Sequence, residues 1–260
     1  MRLKDKIAIV TGGGTGIGKS ITESFVKEGA RVMICSRNLE NSNSTAKSIN
    51  DQYGEEKVFA LPVNVNMKEE VEGSVAEVIK KWGEIHILVN NAGRSGRLPL
   101  LEGTDEEWLD ILDTNLNGIY FFSKAVLRSM KDQSHGRIIN ISSVLGKFGV
   151  AGYTAYSASK HGVVGFSSAL ALEVAPRGIT VNTICPGWVE TQMAVQGIQE
   201  TAKALNISND QFRKIAIEAI PIKRFVASEE VAELAIFLSG EEARAITGQA
   251  INICGGSVMH

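Results

Sequence analysis

The sequence predicts an α/β protein in which helices cover both faces of a parallel sheet, a doubly wound arrangement in one domain over residues 1–260. Three observations point there. Seven short β-branched runs alternate with longer helical patterns, as chained strand–helix–strand units do. The runs are apolar almost throughout instead of alternating, as strands buried on both faces are. A glycine-rich turn follows the first run, and a helix follows the turn.

The first strand is KIAIV (6–10), and TGGGTGIG (11–18) leads from it into a helix over 17–28. RVMIC (31–35) is the second strand and KVFALPV (57–63) the third, with a helix over 68–82 behind it. IHILV (85–89) is the fourth, followed by NNAG (90–93) and a long helical pattern over 105–131. RIINIS (137–142) precedes a helix over 154–175, and ITVNTI (179–184) is the sixth strand. A helix over 229–239 and the strand AINIC (250–254) complete the alternation. Residues 192–223 break the rhythm, being partly amphipathic and long for a connection. Connections of that length are usually functional, so the segment reads either as a lid over a site or as two packed surface helices. No internal repeat, low-complexity tract or Pro/Gly-rich linker divides the chain.

Composition narrows the function classes. A formal charge of −2 gives no sign of a nucleic-acid partner. No stretch approaches the about 20 apolar residues of a membrane span, and the opening MRLKDKIAIV runs straight into a strand with no secretory leader. Cys35, Cys185 and Cys254 are odd in number and far apart in apolar runs, which suits buried free thiols. A cytoplasmic protein is expected. His86, His135 and His260 lack metal-ligand spacing, so no metal is expected, and His161 reads as a packing or interface residue.

Glycines 12, 16 and 18 let the backbone turn sharply and approach a pyrophosphate, while the helix start supplies N–H groups and a positive dipole end. A carboxylate at the end of the second strand holds the ribose 2′-hydroxyl in NAD sites. This chain has Ser36 there, with Arg37 beside it and Glu40 placed inside a following helix. A hydroxyl and a guanidinium suit a 2′-phosphate, so NADP(H) is expected ahead of NAD(H).

In YSASKHGVVGF (156–166), Tyr156 and Lys160 share a helical face. An ammonium near a phenol favours the phenolate, so Lys160 is expected to lower the pKa of Tyr156.

TGGGTGIG, NNAG, Asn115, Ser143 and YSASK, in this order, resemble the short-chain dehydrogenase/reductase family over essentially the whole chain. The resemblance implies a Rossmann-type seven-stranded parallel sheet in the order 3-2-1-4-5-6-7 and hydride transfer between a nicotinamide and a carbonyl or alcohol. It implies Tyr156 as general acid, Lys160 as the residue that tunes it and binds the nicotinamide ribose, Ser143 as the carbonyl-binding hydroxyl, and Asn115 as part of a proton relay. Ser142 is expected to turn away by strand alternation. The implied cofactor contacts are Gly12, Thr15, Gly16, Ile17 and Gly18 in the turn and Ser36 and Arg37 at the ribose. Asn64 and Val65 fall near the adenine, and Asn90, Asn91, Ala92 and Gly93 along the adenosine. Pro186, Gly187, Val189 and Thr191 fall at the carboxamide.

Within the family the motifs are most similar to ketoreductases of aromatic polyketide synthesis and to 3-oxoacyl-thioester reductases. The substrate expected is therefore a keto group, on acyl carrier protein, coenzyme A or a polyketide. Arg94, Arg97, Lys203, Arg213 and Lys214 could attract carrier phosphates, and Met193, Val195, Ile198, Phe212 and Ile215 fit an apolar substrate or helix packing equally. The alternatives are an alcohol or hydroxyacyl-CoA dehydrogenase running oxidatively, and a non-catalytic nucleotide-binding member. The intact Asn115, Ser143, Tyr156 and Lys160 weigh against the second. Finally, Ile119, Phe121, Phe122 and Val126 on one helix, with Val163, Phe166, Leu170 and Leu172 on another, point around much of each circumference. The resemblance adds two-fold contacts through these helices and the C-terminal strand, hence a homotetramer.

Overall fold

The seven apolar runs form seven parallel strands in a computed structural model that describes residues 1–54, 56–130 and 133–259. They are β1 (Ile7–Thr11), β2 (Arg31–Ser36), β3 (Val58–Pro62), β4 (Ile87–Asn90), β5 (Gly136–Ile141), β6 (Ile179–Pro186) and β7 (Ala250–Ile253). The spatial order is β3-β2-β1-β4-β5-β6-β7, as expected. Register is continuous across the sheet, with Ile9 opposite Met33 on one side and Leu88 on the other.

Successive strand side chains point to opposite faces, and each face builds its own core. Ala8 and Val10 of β1 join Val32, Ile34 and the helices α1 (Gly16–Lys27), α2 (Leu39–Tyr53) and α9 (Ser228–Ser239). Ile7 and Ile9 join Met33, Cys35 and the helices α3 (Lys68–Trp82), α5 (Gly118–Ser129) and α6 (Thr154–Val174). Cys35, Cys185 and Cys254 are buried and free.

Two departures from the sequence reading, and one choice among its alternatives, bear on the site. The long pattern over 105–131 is not one helix. It divides into α4 (Asp105–Leu112), a π-helical turn at Asp113–Asn117, and α5, and its expected end at Lys131 lies outside the described residues. The turn inserts an extra residue because Gly118 N donates to Asp113 O and the Asn115 side chain is drawn inward to the Arg94 backbone. Second, α2 is a full helix of 15 residues that the sequence pattern did not delimit. Third, the irregular stretch holds two helices, α7 (Gln192–Leu205) and α8 (Asn209–Glu218). Ile198, Ala216, Ile220 and Phe225 give them a small core of their own, with Trp188 stacked on Phe225 at 5.5 Å between ring centroids. Met193, Val195 and Ile215 stay exposed.

Candidate active site

The strand order reverses between β1 and β4, and doubly wound folds bind ligands in the crevice that opens beyond the carboxyl ends of the strands at such a switch. The glycine turn leaves β1 there. Gly12 and Gly16 take φ of +65° and +50°, conformations that favour glycine. A Cβ on Gly18 would run into the Gly12 carbonyl and the Asn91 amide. Thr15, the N-cap of α1, makes no side-chain cap, so the first-turn N–H groups of Gly16, Ile17 and Gly18 stand without that acceptor. Such a turn offers the backbone donors that a pyrophosphate requires.

The turn is held from three sides. The Asn91 amide donates to the carbonyls of Thr11 (3.0 Å) and Gly12 (3.2 Å), while Thr11 Oγ1 accepts from Asn91 N and Ala92 N at 2.9 Å each. Thr45 on α2 donates to Gly14 O at 3.0 Å, and Ser42 packs where a Gly14 side chain would stand. From β6, Pro186 ends the strand, Gly187 N donates to Ile253 O, and Val189 is buried. Thr191 then caps α7 through Ala194 N, and its methyl lies 3.3 Å from the Cβ position of Gly16. Arg37 is exposed at the end of β2, Ser36 is half-buried beside it, and Glu40 lies in the first turn of α2. Asn64 spends its carbonyl oxygen on Asn66 N at 3.2 Å, and Val65 is buried against Gly118.

The polar cluster lies where β5 and α6 meet. Lys160 is buried and its Nζ donates to Ile141 O at 2.9 Å. Its ammonium sits 5.6 Å from the Tyr156 ring centroid. Ser143 lies beside the Tyr156 hydroxyl and favours its phenolate form, and its Oγ accepts from Leu145 N at 3.1 Å. Ser142 turns away and donates to Lys160 O at 2.9 Å. Asn115 is fully buried, and the Cβ position of Gly93 is 3.1 Å from Asn115 Oδ1 and 3.6 Å from Lys160 Nζ. Gly93 is therefore the spacer that lets the β4 loop lie over both.

Electrostatics depart from the sequence expectation in one respect. Burial pushes the Tyr156 phenol up to about 12, with Ser143 pulling it the other way, instead of leaving it lowered. Burial also pushes Lys160 down to about 8. Lys160 directs its proton donor at the Ile141 carbonyl, so desolvation of the phenol outweighs attraction to the ammonium.

A family model described as short chain dehydrogenase matches residues 6–202. The chain belongs to the short-chain dehydrogenase family. It is 42% identical over 259 residues to the 3-oxoacyl-[acyl-carrier-protein] reductase FabG of Vibrio harveyi, covering all of both chains. The FabG of Escherichia coli (strain K12) is 40% identical over 259 residues, again covering all of both. Among solved structures, an actinorhodin polyketide ketoreductase variant crystallised with NADPH superposes with a TM-score of 0.94 at 42% identity, over 97% of each chain.

Against this family frame, some expected residues fall elsewhere. Asn90 does not line the crevice: it is buried beneath it, donating to Asn140 Oδ1 at 2.8 Å and Ser123 Oγ at 3.3 Å. Arg94 is paired with Asp110, and Arg213 with Glu190 at 2.6 Å, which removes both as free cations. His161 is exposed, with Nδ1 2.9 Å from Ser157 O. His86 and His135 lie with their rings tilted and centroids 5.3 Å apart, where His86 Nδ1 meets the N–H of Ile7 at the start of β1, while His260 lies outside the described residues. Among the described residues no three His, Cys, Asp or Glu side chains gather as a metal site would need, and no helix is long and apolar enough to cross a membrane.

Sequence reasoning missed Ser42 and Thr45, which brace the glycine turn, because α2 shows no strong apolar stripe. It also missed two ties across the mouth. Glu200 on α7 accepts from Arg97 N at 2.8 Å, and Tyr153 meets Thr201 at 3.1 Å between hydroxyl oxygens.

Proposed function

We propose that this chain is an NADPH-dependent ketoreductase. It would reduce the keto group of a 3-oxoacyl thioester on acyl carrier protein or coenzyme A, or of a polyketide, to a secondary alcohol. The observation that carries the proposal is the gathering of Tyr156 and Ser143 with the buried Lys160 ammonium, 5.6 Å from the phenol ring centroid, beside the glycine-lined crevice. The FabG and actinorhodin relatives, by the reactions they are named for, support a keto substrate.

Bound NADPH supplies a hydride to the carbonyl carbon. The residues around it handle position and the proton. Ser143 Oγ donates to the carbonyl oxygen and holds it beside Tyr156. As negative charge gathers on that oxygen, the Tyr156 hydroxyl gives up its proton to it. A phenol pushed up to about 12 stays protonated at neutral pH, the form an acid requires. Lys160, at about 8, is mostly charged at pH 7 and stabilises the phenolate left behind, while also holding the nicotinamide ribose. Asn115 serves the relay that returns a proton to Tyr156.

In this reading Gly12, Thr15, Gly16, Ile17 and Gly18 cradle the pyrophosphate. Arg37 and Ser36 take the 2′-phosphate, for which an exposed cation that forms no ion pair among the described residues is the right chemistry. Asn64 and Val65 border the adenine, and Asn91, Ala92 and Gly93 border the adenosine. Pro186, Gly187, Val189 and Thr191 fix the carboxamide. The segment 192–223 is the lid of a single domain, a role supported by its separate small core and by the Glu200 and Tyr153 ties. Exposed Lys203 and Lys214, with Arg97, are the cations left for a carrier phosphate. The groove between α5 and α6, about 820 Å³ and lined by Tyr120, Leu127, Phe166 and Leu170, supports pairing of these helices across a two-fold axis in a homotetramer. Leu172, at 78% exposure, leaves a further apolar side chain uncovered on another side of α6, and a cytoplasmic location completes the proposal. Screening 3-oxoacyl thioesters, cyclic ketones and quinones for loss of NADPH absorbance tests the reading, and no turnover with any keto compound would refute it.

A further inference from the structure

We infer that Ser159 is a positioning residue for the reduction, acting through Asn115; the inference rests on the ketoreductase reading. Ser159 has no exposed surface and sits between Tyr156 and Lys160 on α6. Its Oγ donates to Tyr156 O at 2.7 Å and accepts from Asn115 Nδ2 at 3.0 Å. One hydroxyl thus joins the turn that carries the phenol to the turn that carries the relay asparagine.

The Asn115 amide has no hydrogen-bonding capacity to spare on its nitrogen. Oδ1 accepts from Arg94 N at 2.8 Å, and Nδ2 donates one hydrogen to Arg94 O at 2.9 Å and the other to Ser159. An amide nitrogen has only two hydrogens to give. The Arg94 bonds tie the π-turn to the β4 loop, and the Ser159 bond ties it to the helix bearing Tyr156 and Lys160. A π-turn inside a helix persists only where its surroundings hold it. Without Ser159 one buried N–H of Asn115 has no partner, and the turn loses its hydrogen-bonded reference to the reacting groups.

The test is Ser159→Ala, a change that favours helix formation and leaves the cofactor contacts intact. The expected result is a kcat lower by about tenfold, a factor one neutral hydrogen bond commonly carries. KM for NADPH and for the acyl thioester should stay within about twofold, and the solvent deuterium isotope effect on kcat should rise as proton delivery becomes limiting. If Ser159 acts through Asn115, the double variant Ser159→Ala/Asn115→Ala turns over no more slowly than Asn115→Ala alone. Ser159→Cys, close in shape and weaker in hydrogen bonding, should fall between wild type and Ser159→Ala. A Ser159→Ala enzyme with kcat within about twofold of wild type, or double-variant losses that multiply, overturns the inference alone. A wild-type chain that reduces no keto substrate overturns the ketoreductase reading and this inference together.

Discussion

Lys160 gives a prediction in which stability and function oppose each other. Its ammonium is buried, and burial pushes it from the ordinary 10.5 down to about 8. The unfolded chain therefore keeps this proton up to about pH 10.5, while the folded chain releases it near 8. Between those values the unfolded state binds more protons, so the stability contributed at this position rises with pH. The gap costs the folded state about 3 kcal/mol at pH 7 and about 1.5 kcal/mol at pH 9.5. Lys160→Met removes the titrating group. It also leaves Ile141 O without its donor, a penalty of about 1–3 kcal/mol that does not vary with pH. Relative to this variant, wild type should gain about 2 kcal/mol between pH 7 and pH 9.5. Cys35 and Tyr156, whose acidities burial also shifts, are common to both proteins and cancel, whereas Cys185, which burial pushes up and Lys160 pulls down, does not, so both proteins are compared on a Cys185→Ala background. Urea unfolding followed by circular dichroism at fixed protein concentration reads the difference. A wild-type minus variant difference that stays constant to about 0.5 kcal/mol across this range would refute the buried-ammonium argument.

Three further outcomes follow from the site and the outer helices. Tyr156→Phe should lower kcat by at least ~10²-fold while NADPH affinity is nearly unchanged, because it removes the proton donor and no cofactor-turn contact; retention of about a third of the rate would contradict the assignment. Arg37→Asp should shift preference from NADPH toward NADH by replacing a phosphate partner with a repulsive charge, and a wild type with the higher kcat/KM for NADH would contradict it. Light scattering coupled to size exclusion should give about 110 kDa, four times the 28.0 kDa chain, whereas a monodisperse monomer at micromolar concentration would contradict the pairing of α5 and α6.

The strands were legible because burial on both faces leaves continuous apolar runs, and each observed strand lies within two residues of its sequence pattern at either end. The glycine turn and the Tyr156–Lys160 spacing were legible because local backbone geometry dictates both. What stayed hidden depends on long-range contacts. α2, LENSNSTAKSINDQY, buries only Ser42, Thr45, Ala46 and Ile49, so small and polar side chains do the packing and no wide apolar stripe marks its extent. The break at 113–117 is set by the Arg94 backbone more than 20 residues earlier in the chain. Asn90 and Asn91 are neighbours of identical type, and only the strand's alternation sends one beneath the crevice and the other onto the glycine turn. The raised pKa of Tyr156 was hidden for the same reason: i,i+4 spacing places the ammonium near the phenol but says nothing of how deeply the hydroxyl is desolvated.

The most direct test of the central claim follows one deuterium atom. NADPH deuterated at the transferable nicotinamide position is incubated with a 3-oxoacyl thioester, and the product is read by mass spectrometry beside the Tyr156→Phe variant. A ketoreductase acting through Tyr156 places one deuterium on the carbon that bore the keto group, giving a 3-hydroxyacyl thioester, and the variant forms almost none. Product without deuterium at that carbon, or labelled product forming at the wild-type rate in the variant, would contradict the account.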